Sequence, residues 1–74
     1  MSDEEILLRI GAHIREVRLA KNLTYNDLAE AIDEDIVYVI KLEAGEYDVK
    51  IEYLFLIADK FGVTIADLFK GLGL

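Results

Sequence analysis

The chain has no cysteine, no proline and no tryptophan, and it holds one histidine, one methionine and one serine. Without cysteine there is no disulfide framework and no thiolate metal site. No apolar run approaches the roughly 20 residues of a membrane span. The first residues, Met1-Ser2-Asp3-Glu4-Glu5, are acidic and do not make a signal peptide. Positive charge is scarce as well: 8 Lys and Arg stand against 15 Asp and Glu, a net charge of −7. These absences lead us to expect a soluble, cytoplasmic chain with no cofactor, no metal, no membrane and no small-molecule substrate.

What is present is apolar and helical. The 74 residues suit one domain, 1–74, near the lower size limit for a single core without staples. Hydrophobic residues make up 54%, more than so small a unit is expected to bury. Ser2 with Glu5 has capping-box spacing. A stripe follows at Ile6, Leu7, Ile10, Ile14 and Val17, giving a helix to about Lys21 with Asn22 as its stop. Thr24 with Asp27 opens a second helix carrying Leu28, Ala29 and Ile32. The Asp33-Glu34-Asp35 turn ends it, and Asp35 caps a third, Ile36 to Glu43, closed by Gly45. A loop from Tyr47 to Lys50 leads to a fourth helix with Ile51, Leu54, Ile57, Ala58 and Phe61, ended by Gly62. Thr64 with Asp67 opens a short fifth bearing Ile65, Leu68 and Phe69, before the tail frays at Gly71 and Gly73. The expected fold class is all-α, a compact five-helix unit. Phe55, Phe61 and Phe69 are assigned to the core, Tyr38 to the junction of the second and third helices. Glu43 is given an arginine partner, and Arg15 and Arg18 the outer side of the first helix.

Catalysis finds no support. His13 and Ser2 are each the only residue of their type, one an ordinary helix residue and the other a cap, so no nucleophile–base pair can be assembled. The acidic Asp33-Glu34-Asp35 run lacks the spacing of a calcium loop.

The tight turn between the second and third helices has helix-turn-helix geometry, and the residues around it resemble the Cro/C1-type (XRE, lambda-repressor-like) family. They are Ile10-Gly11-x-x-Ile14-Arg15-x-x-Arg18, Leu23-Thr24, Asp27-Leu28-Ala29-Glu30, Lys41-Leu42-Glu43-x-Gly45-Glu46, Leu54, Ile57-Ala58, Phe61-Gly62-Val63-Thr64 and Asp67-Leu68-Phe69. The likeness runs without a gap over roughly residues 9–69. It implies that the start of the second helix and the outer face of the third enter the DNA major groove.

At those positions the chain departs from the polar pattern of the family. Tyr25 replaces the usual Gln, Asp33 stands where Gly is common, Asp35 replaces Ser or Thr, and Ile36, Val37 and Ile40 hold the reading positions. With Val39 and Leu42 turned to the core, those three cover the opposite side of the helix, with Lys41 at its edge. So small a domain has no material to cover both sides, so an uncovered apolar face implies a partner. The favoured reading is therefore a protein-binding module, natural or redesigned as a binder, using Tyr25, Ile36, Val37, Ile40 and Lys41, extended by Tyr47, Tyr53 and Leu56. Its partner would be another protein or a second copy. The alternative is a sequence-specific DNA-binding regulator with Arg15, Arg18, Lys21, Tyr25, Lys41 and Lys50 at the backbone, disfavoured here by the acidic net charge.

Overall fold

The computed structural model describes residues 2–70. Five helices follow one another: α1 Asp3–Ala20, α2 Tyr25–Ile32, α3 Ile36–Glu43, α4 Ile51–Phe61 and α5 Ile65–Phe69. Expected fraying at Gly71 and Gly73 lies outside the described residues.

Starts and stops come from local chemistry. The Ser2 hydroxyl accepts from the Glu5 N–H at 3.2 Å, and Asp3, Glu4 and Glu5 occupy the positive end of α1. Thr24 with Asp27 and Thr64 with Asp67 form reciprocal capping boxes at α2 and α5. The Asp35 carboxylate accepts from the Tyr38 N–H at 2.7 Å and starts α3. The first four helices all stop by one device. Asn22, Asp33, Gly45 and Gly62 take left-handed backbone angles, with φ from 56° to 77°. In each case the next residue's N–H bonds the carbonyl five positions back: Leu23 to Arg18, Glu34 to Ala29, Glu46 to Lys41 and Val63 to Ala58. Asp33 thus does the work of the glycine common at its position. Asp and Asn are the residues after Gly that best tolerate this conformation.

Every helix feeds one core. Ile14 comes from α1, Leu28, Ala29 and Ile32 from α2, Val39 and Leu42 from α3, Leu54, Ile57, Ala58 and Phe61 from α4, and Leu68 from α5. α3 packs on α1 and α2, while α4 packs on α2 and α5. Phe69 is packed against this core, but Phe55 is not in it: its side chain is 60% exposed. The buried arc of α4 is centred on Leu54, Ile57 and Phe61, and Phe55 lies about 100° or more from each of those three. Among the described residues no helix is long and apolar enough to cross a membrane.

Candidate functional site

α3 is two-faced because its neighbours cover only one side. Val39 and Leu42 are fully buried. Ile36, Val37 and Ile40 are 42%, 58% and 43% exposed. At about 100° per residue, these three share an arc of roughly 140° with Ala44 and Lys41. Ala44, also exposed, extends the arc by one turn. Carrying the helical wheel one residue past Glu43 would have found it.

The start of α2 adjoins this face. Tyr25 is half-buried and lines an open cleft of about 290 Å³ with Arg15, Ile40, Glu43 and Ala44. Its ring lies under the Arg18 guanidinium, 4.2 Å from centroid to carbon. Asn26 beside it is exposed and donates to Glu30 at 3.1 Å. Sequence reasoning passed over it, although it directly follows the position where the family expects a polar reader.

Arg18 is not where sequence reasoning put it. It is 4% exposed, not solvated on the outer side of α1. Its Nε donates to Glu43 Oε2 at 2.7 Å, its Nη2 to Oε1 at 3.1 Å, and its Nη1 to the Leu23 carbonyl at 2.9 Å. The hydrogen bond to Glu43 is the chief cause that raises its pKa further. Arg18 therefore has no free fork for a phosphate and leaves the list of DNA contacts. The expected arginine partner of Glu43 is this residue. A signal existed: Arg18 follows Ile14 by one helical turn on the buried stripe of α1. Arg15, Lys21 and Lys50 are exposed, Lys41 is half-buried, and His13 is a half-buried helix residue.

The two tyrosines meant to extend the face differ: Tyr47 is exposed and adjoins Lys41 at its edge, whereas Tyr53 is half-buried. Tyr53 turns inward. Its hydroxyl donates to the Glu34 carboxylate, and its ring meets Tyr38 edge-on at 5.8 Å. Tyr47 stacks on Tyr38 at 5.1 Å, with Lys41 Nζ 5.9 Å from its centroid. Lys50 lies over Tyr53 at 5.3 Å. Leu56 is 43% exposed, but on α4 rather than on the α3 arc. The Glu34 bond, aided by burial, pushes the Tyr53 hydroxyl up to about 12. The neutral phenol is the form this site favours, so the contribution is complete below pH 10 and lost as pH rises through 12. Glu34→Gln should return the Tyr53 titration toward the ordinary tyrosine range, read as phenolate absorbance against pH. An unchanged late titration would show that Glu34 does not hold the proton there.

The acidic turn is occupied in the same way. Asp33 supplies the left-handed stop, Glu34 the acceptor for Tyr53, and Asp35 the α3 cap. Among the described residues no group of three His, Cys, Asp or Glu could hold a metal ion.

A family model described as helix-turn-helix matches residues 14–68. An uncharacterized HTH-type transcriptional regulator of Methanocaldococcus jannaschii is 38% identical over 56 residues, 76% of this chain and 85% of its own length. The crystal structure of the clp gene regulator ClgR from C. glutamicum superposes with a TM-score of 0.84 at 30% identity, covering 90% of this chain and 87% of that one. A restriction-modification controller protein, solved as a tetramer in complex with its natural 35-base-pair operator, superposes with a TM-score of 0.78 at 28% identity, covering 90% and 88%.

These relatives correct the main functional reading. The sequence led us to a protein-binding module whose partner is a protein or a second copy held through the α3 face; the relatives are an HTH-type transcriptional regulator, a gene regulator and a controller protein solved on its operator. The inference that net charge disfavours DNA falls with it. Its physical fault was to weigh the sum of charges rather than where they lie: Arg15, Lys21 and Lys50 are exposed, while five of the acids are tied to caps and partners of their own. Asp27, Asp35 and Asp67 cap helices, Glu34 holds Tyr53, and Glu43 holds Arg18. A redesigned scaffold has no support among these relatives.

Proposed function

This chain belongs to the Cro/C1-type helix-turn-helix family of transcriptional regulators, a family of regulators rather than enzymes, and we propose that it is a sequence-specific DNA-binding regulator that lays the outer arc of α3 in the major groove. One observation carries the reading: Leu28, Ala29, Ile32, Val39 and Leu42 of the helix-turn-helix are buried in the core, while the α3 arc and Asn26 near the start of α2 stay exposed and Tyr25 is half-buried. Arg15, Lys21, Lys41 and Lys50 are the cations we assign to phosphates, with Tyr25 and Asn26 placed beside the groove. Residues 1–74 act as one domain in this reading, and the cytoplasmic location expected from the sequence goes with it.

The test is enrichment of bound duplexes from a random-sequence library, followed by fluorescence anisotropy across a salt series. An enriched sequence should bind at least roughly 1,000-fold tighter than random duplex. Its log affinity should fall linearly with log salt by about 0.9 per phosphate contact. Lys41→Ala should weaken all duplexes alike and reduce the slope by about one. Asp33→Asn and Asp35→Ser keep the stop and the cap, and should leave affinity unchanged or raise it. No enrichment and no binding at low salt would overturn the proposal.

A further inference from the structure

The reading face is chemically one-sided. Of the five residues on the outer arc of α3, four are Ile36, Val37, Ile40 and Ala44, which carry no side-chain donor or acceptor. Only Lys41, at the edge, has a polar head, and it lies over the Tyr47 ring. The chain contains no glutamine and only two asparagines. Asn22 forms the stop after α1, and Asn26 already donates to Glu30. Arg18, which could have gripped a guanine edge with its fork, spends it on Glu43 and Leu23. A major groove offers such a surface a single complementary feature: the C5-methyl of thymine, the one apolar group on any base edge there. Arg15 and Lys41 flank the arc, and their charge suits phosphates on either side of an apolar strip.

Resting on the proposed DNA-binding function, we infer that α3 reads its site through thymine methyl groups, so that the ligand is a duplex bearing a cluster of C5-methylated pyrimidines at the groove floor. Ile36, Val37 and Ile40 are the specificity-determining residues. They select by burying methyl groups between aliphatic side chains, while the cations hold register and carry no sequence information. Bases whose edges display only donors and acceptors are rejected, because the face would leave those groups without water and without a partner.

The test uses the full chain and a duplex enriched from the random library. Replacing its thymidines with deoxyuridine removes the methyl and keeps every donor and acceptor. Affinity should fall about fourfold for each contacted methyl, hence more than about tenfold for a site that contacts two or more. Replacing a contacted thymine–adenine pair by 5-methylcytosine–guanine keeps the methyl but exchanges the O4 acceptor for an amino donor. That duplex should bind much as the parent does, whereas plain cytosine should lose as much as deoxyuridine. Val37→Ser with Ile40→Lys, both at exposed positions, should keep the fold and bring the thymine-to-uracil ratio toward one. An enriched duplex that binds equally well as its deoxyuridine form would overturn the methyl readout and leave the DNA-binding function standing. Failure to enrich any duplex would remove both.

Discussion

Glu43→Ala should lower the stability of the domain by about 3–5 kcal/mol. Arg18 donates two bonds to Glu43 and one to the Leu23 carbonyl, with both charged side chains out of water. Removing the carboxylate strands a guanidinium that cannot shed its proton. Breaking a buried pair from one side costs about 3–5 kcal/mol. A chain of this length has a total stability of roughly 4–11 kcal/mol. The loss therefore takes from about a quarter to all of that stability, and urea unfolding should show a midpoint well below that of the parent. Arg18→Met combined with Glu43→Leu removes both charges at similar volume and should recover most of the loss. Arg18→Lys keeps the charge but not the fork, and also removes the plane that lies over Tyr25. It should weaken DNA binding beyond its effect on folding, because Tyr25 borders the reading arc. A Glu43→Ala loss below about 1 kcal/mol would mean that the pair is hydrated, as surface pairs are.

The features legible in the sequence were those decided within one turn of chain. Ser2, Thr24, Asp35 and Thr64 act on N–H groups three residues away, and the left-handed stops at Asn22, Asp33, Gly45 and Gly62 need no distant partner. The uncovered apolar arc of α3 was legible too, because Val39 and Leu42 set the helix phase. What escaped depends on which helix meets which. Arg18 is buried because Glu43 comes from α3, 25 residues on, and Tyr53 is drawn inward by Glu34 across 19 residues. Phe55 is exposed because no described element lies over its side of α4. The function was misjudged for a related reason. An aliphatic face suits a protein partner and a row of thymine methyls alike, and composition alone does not separate them. The net charge tipped the choice the wrong way, since a sum over the whole chain says nothing of where its cations lie.

Gly11→Ala should destabilise the domain by about 3 kcal/mol, where the same change at an open helical site would stabilise it by about 1 kcal/mol. The sign reverses because α1 crosses the last turn of α3 at this residue. A Cβ on Gly11 would stand 2.5 Å from the Glu43 carbonyl oxygen, 2.6 Å from that of Leu42 and 2.8 Å from the Glu43 carbonyl carbon. These are backbone atoms at the end of a helix, and no rotamer change relieves them. The helices must separate, and the separation acts on the same turn that carries Glu43 toward Arg18. Overpacking and loosening of the ion pair thus act in the same direction. Ala12→Gly, one residue along and exposed, supplies the control: it should cost about 1 kcal/mol through propensity alone. Urea denaturation of the two variants compares the two losses directly. If alanine at position 11 raises the midpoint instead, α1 and α3 do not meet this closely, and the geometry that fixes the tilt of the reading helix must be sought in the α2–α3 turn.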